Sequence, residues 1–358
     1  MRIDTRTKLD FSDVLIRPKR STLNTRKEVN LERSFKFLHS GKIWTGIPII
    51  AANMDTTGTF EMVRALSKHK MITTLHKFYS IEELENFFND FDNPDYVAYT
   101  LGIKDEEFDK LKIILNKNLG NKFNFICLDV PNAYLERYVR KLNELRKICP
   151  DHTIIAGNVV TNEMVEELLL QGADIVKIGI GSGSSCLTRR QTGIGYPQLS
   201  AIIECSDAAH GISNINTGVG LIISDGGAVH PSCIAKAFCG GADFVMLGSL
   251  FAGYDQSGGE VFEKNGKAYK KFYGMASSTA MHKYYGGISD YRSSEGRTLE
   301  IPYKGDINNF ILELFGSLRS TATYIGARKL KEFPRRCTFI MVNKQANDSL
   351  EKYDETIQ

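Results

Sequence analysis

Apolar residues gather in eight short runs along the chain, at 48–52, 71–75, 96–101, 125–130, 153–157, 175–180, 221–224 and 244–247. The runs are rich in β-branched residues and are too short for helices. Near-continuous apolar character of this length predicts strands buried on both faces, as in a parallel sheet. Between the runs, apolar residues recur every three or four positions at 61–69, 81–90, 106–117, 134–149, 162–171, 197–210 and 231–239, with a last such segment at 309–330. That period predicts amphipathic helices. Strand–helix alternation predicts an α/β fold, and eight units predict closure into a TIM (β/α)8 barrel. A doubly wound open sheet is the competing arrangement.

One repeat supports the barrel. Gly172-Ala173-Asp174-Ile-Val-Lys-Ile-Gly179 parallels Gly241-Ala242-Asp243-Phe-Val-Met-Leu-Gly248. In each, a glycine ends a helix, a strand follows, and a second glycine closes it, which predicts two related ligand-facing loops. No Pro/Gly/Ser-rich linker interrupts the pattern, so residues 1–342 are read as one catalytic barrel domain and 343–358 as a polar, mobile tail. Two stretches look added to the barrel, 211–220 before the seventh strand and 250–305 after the eighth. Loops as long as the second are usually functional or disordered.

Composition narrows the function classes. The 358 residues carry 45 basic and 42 acidic side chains, a net charge of +3, which is too balanced for charge-driven binding of nucleic acid or a membrane surface. The seven cysteines are odd in number and none are spaced C-x-x-C, which argues against a disulfide framework or a zinc site and for a reducing, cytosolic setting. The N-terminus lacks an apolar signal segment, and no apolar run approaches 18 residues. Neither a phosphate-binding G-x-x-x-x-G-K-[ST] nor a G-x-G-x-x-G in a βαβ setting occurs, so a nicotinamide cofactor would not bind in the Rossmann manner. The histidines are scattered, and His76, after the second strand, reads as structural.

Three loops carry the candidate chemistry. The sixth run leads into Gly181-Ser-Gly183-Ser-Ser-Cys186-Leu-Thr188-Arg189-Arg190, at the strand C-terminus where barrel enzymes place their sites. A free thiol titrates near 8.5 and is only about 3% thiolate at pH 7. Arg189 and Arg190 are expected to raise that fraction. Cys127, Cys205 and Cys239 lie in strand or helix patterns and read as buried residues, whereas Cys186 sits in a polar loop as a candidate nucleophile. The seventh run ends in Asp225-Gly226-Gly227, where a carboxylate can accept ribose hydroxyls and glycines admit a phosphate. A helix-capping or turn aspartate is the alternative. Gly248 and Ser249 follow the eighth run, and barrels often bind phosphate at the loops after strands seven and eight. Tyr291-Arg292-Ser293-Ser294-Glu295-Gly296 offers a carboxylate that can close over the site as acid or base, or else lie solvated on the surface.

Taken together, Gly-Ser-Ser-Cys186-Leu-Thr188-Arg, Ser-Asp225-Gly-Gly and Tyr-Arg-Ser-Ser-Glu295-Gly resemble the GMP reductase / IMP dehydrogenase family, over residues 9–342. Segments 48–55, 156–161 and 193–199 resemble its reductase branch. The dehydrogenase branch usually inserts a CBS-domain pair near the second unit and uses a flap arginine to activate water. Here only one helix separates the second and third runs, and no arginine occurs between Ser249 and Tyr291.

The resemblance implies a potassium-assisted, NADPH-dependent conversion of GMP to IMP and ammonia by a cytosolic homotetramer. It implies Cys186, Thr188 and Glu295 as catalytic residues. Asp225, Gly226, Gly227, Gly248, Ser249, Gly274, Met275, Ala276, Arg292, Ser293, Ser294 and Gly296 would bind the nucleotide. Thr25, Arg26, Lys77, Asp129, Val130, Pro131, Ile180, Gly181, Met275, Tyr291, Arg292, Ser320, Thr321, Ala322 and Thr323 would bind the cofactor. Gly181, Gly183, Cys186 and Arg189 would surround the monovalent cation. Ser249, Ala276 and Pro131 depart from the family's usual residues. The dehydrogenase reaction and a non-catalytic nucleotide sensor are the competing functions.

Overall fold

A computed structural model describes residues 3–287, 290 and 293–343. Eight parallel strands follow the predicted runs: Ile49–Ala51, Ile72–Thr74, Val97–Leu101, Phe125–Asp129, Thr153–Val159, Ile175–Ile178, Leu221–Asp225 and Phe244–Leu247. The eighth pairs with the first, Val245 opposite Ile49 and Leu247 opposite Ala51, so the sheet closes. That pairing excludes the open sheet, and the fold is a TIM barrel. The intervening helices also fall where the periodicity puts them. Ile81–Asp90 and Pro231–Cys239 match to the residue, and the last, Ile307–Ile325, starts two residues early and ends at Gly326 in the left-handed conformation (φ 71°).

Alternation within each strand sorts the core into two parts. Ile50, Ile72, Ala98, Phe125, Cys127, Ile155, Ile175, Ile223, Phe244 and Met246 form one cluster, filling the barrel interior. Their neighbours Ile49, Ala51, Ile126, Ile154, Val176 and Ile222 pack outward against the helices. The interior cluster is completed by an antiparallel hairpin, Arg33–Lys36 with Ile43–Gly46, that the sequence reading did not anticipate. Its Phe35 and Trp44 lie against Phe244, with ring centroids 4.7 and 5.4 Å away, and Phe37 meets Phe125 edge-on at 5.6 Å. The hairpin closes the end of the barrel where the strands begin.

The repeat proves to be divided between the two ends of the barrel. Asp174, fully buried, accepts hydrogen bonds from the backbone of His39, Ser40 and Ile154 and from Arg146 Nη2 at 2.6 Å. Asp243 likewise accepts from Arg33, His210 and the Ile222 amide. Each carboxylate therefore ties a strand start to the closing hairpin or its flanks. Only the closing glycines, Gly179 and Gly248, lie at the opposite end, where the loops are. The added stretch 211–220 also belongs to the closed end. Val219 bridges Phe37, and Lys36 Nζ reaches the Asn216 carbonyl at 2.9 Å.

The stretch after the eighth strand is not a plain loop. It folds into a three-stranded antiparallel sheet, Val261–Lys264, Lys267–Tyr273 and Thr298–Pro302, and a helix, Ser278–Tyr285. Near its other end the chain pairs Val14–Ile16 with Phe339–Met341, joining the two termini of the barrel. The tail 344–358 lies outside the described residues. Among the described residues, no helix is long and apolar enough to cross a membrane.

Candidate active site

The loops at the C-terminal ends of the strands bring Cys186 to the centre of the open face. Its thiol donates to Thr188 Oγ1 at 3.2 Å, and Thr188 Oγ1 donates to Glu295 Oε2 at 2.7 Å. The carboxylate is 107 residues away in sequence and is delivered by backbone pairing. The Leu187 amide donates to the Glu295 carbonyl at 2.6 Å and the Arg297 amide to the Ser185 carbonyl at 2.9 Å, so Cys186 stands opposite Gly296 in a two-strand bridge. Glu295 is half-buried and engaged, not a solvated surface residue.

The expected activation of the thiol by arginines is not what the structure shows. Arg189 donates to Asp10 at 3.0 Å and to the Tyr196 carbonyl at 2.6 Å, folding back over Gly181, and Arg190 is exposed. Its guanidinium is held by nearer, better-placed acceptors. The thiol's hydrogen-bond partner is instead Thr188, itself bonded to Glu295. The cysteines read as structural are so: Cys127, Cys205 and Cys239 are buried, and burial pushes the thiols of Cys127 and Cys205 up to about 12.

Two cavities lie beside the Cys186 loop; Ser185 lines one and Glu295 the other, and Cys186 itself lines neither. The smaller, about 70 Å³, is lined by Gly183, Ser184, Ser185, Asp225, Gly226, Gly227, Gly248 and Ser249, with Met54 and Phe272 among the other walls. It brings the Cys186 loop together with two of the loops read as nucleotide-binding, at 225–227 and 248–249, whereas Met275, Ala276 and Ser293, read as nucleotide-binding too, line the larger cavity. Gly226 has φ +100°, and a Cβ there would come within 2.5 Å of Ser182 Oγ, so only glycine fits between this loop and the Cys186 loop. The larger cavity, about 530 Å³, falls in the usual range for small-molecule sites. Lys77, Asp129, Val130, Pro131, Met275, Ala276, Ser293 and Glu295 line it, joined by Asn53, Lys104, Glu107 and Tyr285. Glu295 thus presents one face to the larger cavity while its Oε2 holds Thr188.

Asp225 does not cap a helix. Its Oδ2 accepts from Asn158 Nδ2 at 2.9 Å and Lys177 Nζ at 3.1 Å. Lys177 Nζ also lies 2.5 Å from Asp129 Oδ1. Lys177 is 2% exposed, projecting inward from the sixth strand, and joins a carboxylate of each cavity wall. Burial by itself would pull its pKa down, but Asp129 and Asp225 hold it well above the ordinary lysine value. Burial would likewise raise Asp129, and Lys177 more than offsets this, leaving that carboxyl below its usual range. Sequence reasoning missed Lys177 and Asn158. The available signal was a lysine in the middle of an otherwise apolar parallel strand, a position that tolerates charge only when it is paired.

Other predicted residues lie elsewhere. Thr25 and Arg26 belong to a turn packed on helix Ile307–Ile325, which also carries Ser320, Thr321, Ala322 and Thr323. None of these six residues lines either cavity. Ala322 is fully buried, and the hydroxyls of Ser320, Thr321 and Thr323 donate to helix carbonyls. Ile180 follows the sixth strand, its carbonyl accepting from the Tyr196 amide at 3.3 Å. Gly274 is packed against Ser185 and Gly296, and Ser294 Oγ accepts from the Ser278 amide at 3.1 Å. Tyr291 and Arg292 lie outside the described residues.

The larger cavity presents Lys77 and Lys104 for anionic groups, apolar walls at Phe78, Val130 and Met281, and a tyrosine ring at Tyr285, a donor set that fits a dinucleotide. Lys77 is not a free cation, since Glu107 Oε1 lies 2.6 Å from its Nζ. In the Cys186 loop the Gly183 carbonyl accepts the Cys186 amide at 3.0 Å. Among the described residues, the Gly181 and Cys186 carbonyls accept no hydrogen bond, leaving hard oxygen ligands suited to a monovalent cation. Among the described residues, no group of three or more His, Cys, Asp or Glu side chains forms a transition-metal site.

His76, at the rim, is structural as read. Its ring stacks on Tyr79 with centroids 3.9 Å apart, and Nδ1 accepts the Phe78 amide at 3.3 Å. Burial pushes its pKa down to about 4. The folded state then stays neutral while the unfolded chain protonates near 6.5, so stability falls as pH drops from about 6.5 toward 4. We expect urea midpoints to show this loss, at most about 3 kcal/mol from this group, and His76→Phe to diminish it. An identical pH dependence in that variant would refute the assignment.

A closed barrel with a Cys–Thr–Glu hydrogen-bond chain beside two cavities on its C-terminal face has the layout of an enzyme site for a small molecule. Comparison with known proteins makes the class specific. Residues 8–350 match the IMP dehydrogenase / GMP reductase domain, and the chain belongs to that family. It is 55% identical over 346 residues to GMP reductase 2 of Bos taurus, covering 96% of this chain and 97% of that one. It is 52% identical over 357 residues to a GMP reductase of Ascaris suum (99% and 98% covered) and 52% over 349 residues to one of Escherichia coli O81 (97% and 98%).

Proposed function

We propose that this chain is a GMP reductase: GMP, NADPH and a proton give IMP, ammonia and NADP+. The observation that carries the reading is the Cys186–Thr188–Glu295 relay, set between a glycine-lined cavity and a larger one of dinucleotide type. Asp225 and the glycines at 226, 227 and 248 hold ribose and phosphate, which presents the purine C2 to Cys186. The thiol proton passes through Thr188 to Glu295 as sulfur bonds to C2. Glu295 returns a proton by the same path to the 2-amino group, and the C2–N bond breaks to release ammonia. This leaves a thioimidate on Cys186. NADPH, when bound, supplies the hydride that replaces the amine at C2. Asp129, Val130, Pro131, Met275 and Tyr285 orient it from the larger cavity, and the thiolate then departs. Gly181, Gly183, Cys186 and Arg189 would hold a monovalent cation such as potassium, whose charge would set the loop.

The cofactor residues fall into two groups, the cavity set and the set at Thr25, Arg26 and 320–323. A homotetramer accommodates both, because a neighbouring copy can bring the second group to the cavity of the first. Seven free cysteines suit a reducing cytosol.

Mixing the protein with GMP and NADPH in potassium buffer should consume NADPH and release one ammonia per NADPH. Turnover of IMP with NAD to XMP in its place would make the chain a dehydrogenase. GMP binding with neither reaction would make it a sensor.

A further inference from the structure

Besides the Cys186–Gly296 bridge and the Thr59 bond to the Gln256 carbonyl, the insert that crosses the open face is fastened to the barrel at a buried carboxylate. Asp55 lies in the turn after the first strand, and its side chain is 2% exposed. Its Oδ2 accepts from Tyr273 Oη at 2.6 Å, Tyr284 Oη at 2.6 Å and Lys283 Nζ at 2.9 Å. All three donors belong to the insert, one at the end of strand Lys267–Tyr273 and two in helix Ser278–Tyr285. Phe78, from the loop after the second strand, stacks on Tyr284 with ring centroids 3.5 Å apart. The other carboxylate oxygen, Oδ1, is buried and has no partner among the described residues. A core aspartate that leaves one oxygen unsatisfied is unfavourable for folding by itself. Its geometry makes sense as a fastening that gathers donors from two separate parts of the insert.

Each fastened residue is a near neighbour of the larger cavity's wall. Tyr273 stands two residues before Met275, Tyr284 one before Tyr285, and Asp55 two after Asn53, and all three of those neighbours line the cavity. Met275, Ala276, Met281 and Tyr285 come from the insert, whereas Asn53, Lys77 and Phe78 come from the barrel. The cavity therefore exists only while insert and barrel stay in register.

We propose that Asp55 is the positioning residue of this insert, holding the Tyr273 strand end, whose Phe272 lines the smaller nucleotide cavity, and the Tyr284 helix, whose Tyr285 lines the larger cofactor cavity. It touches neither ligand and acts through the two tyrosines. The identity of the two ligands rests on the function proposed above, but the fastening does not.

The test uses Asp55→Asn, Tyr273→Phe and Tyr284→Phe in the full-length chain, with hydrogen exchange on the ligand-free protein and steady-state kinetics. Asp55→Asn and Tyr284→Phe should each speed amide exchange in 278–285 about tenfold, the loss of one hydrogen bond to a charged group, and leave strand Phe125–Asp129 unchanged. Tyr284→Phe should raise KM for NADPH about tenfold with kcat within about threefold, and Tyr273→Phe should raise KM for GMP more than KM for NADPH. Exchange in 278–285 equal to wild type in Tyr284→Phe overturns the proposal, even where Asp55→Asn fails to fold. A parallel rise of both KM values in both tyrosine variants also overturns it. A wild-type protein that does not oxidise NADPH with GMP defeats the proposed function alone, because the exchange data still decide the fastening.

Discussion

Cys186→Ala should abolish turnover, lowering kcat by at least about 10³-fold, while GMP still binds within about threefold of wild type. The two expectations separate because the thiol supplies the covalent bond to C2, whereas the glycine loops and Asp225 supply the binding contacts. Removing Sγ deletes one hydrogen bond, to Thr188, and leaves the bond from Thr188 to Glu295 in place. The fold should therefore be undisturbed. Glu295→Gln sharpens the reading. Glutamine still accepts from Thr188 but cannot take up the thiol proton or return it, so ammonia release should slow by about 10²-fold or more, the usual worth of general acid–base catalysis. Following ammonia and NADPH separately in single turnovers checks this. A Cys186→Ala protein that still converts GMP, or a Glu295→Gln protein that releases ammonia at the wild-type rate, would refute the relay.

The second large effect is expected at Lys177. Lys177→Met replaces a buried cation with an apolar chain of similar length and leaves Asp129 and Asp225 facing each other without it. Breaking a buried pair typically costs 3–5 kcal/mol. Here about 3 kcal/mol is expected, because both carboxylates keep an edge toward the cavities, 30% and 23% exposed. For a chain of 358 residues that corresponds to a fall in Tm of roughly 4 °C. The functional loss should be larger. Asp225, held then only by Asn158, turns away from the ribose position, and Kd for GMP should rise at least about tenfold by isothermal titration. Asp225→Asn should weaken GMP by a similar factor with little loss of stability, since Asn158 and Lys177 can still donate to the amide oxygen. If Lys177→Met lowers Tm but binds GMP as tightly as wild type, the lysine is purely structural.

Lys177 also shows where sequence reading stops. Every strand of the barrel was legible, because a strand buried on both faces must be apolar throughout and its length is short. The cysteine loop was legible because a thiol amid glycines and serines has no packing role. Nothing in the spacing of positions 129, 177 and 225 indicates that they meet, since each lies on a different strand. Only barrel closure and the inward alternation of side chains bring them within hydrogen-bonding reach. The two arginines beside Cys186 misled for a related reason. Adjacency along the chain placed them next to the thiol, but the turn at Gly181 and the carboxylate of Asp10 draw Arg189 away.

The Cys186 loop thus draws on both levels. By itself the sequence determined the period of eight strand–helix units and the end of the barrel where the loops gather, and it offered a candidate nucleophile and candidate nucleotide-binding residues, because these follow from local hydrophobic pattern and side-chain chemistry. The tertiary structure decided how Glu295 is linked to the thiol, through Thr188, and which lysine joins the two cavities. It also decided how the insert is held at Asp55, and that the repeated aspartates fasten the closed end. Those are contacts between residues tens to hundreds of positions apart, and their geometry is set by the closure of the sheet and the packing of the insert across it.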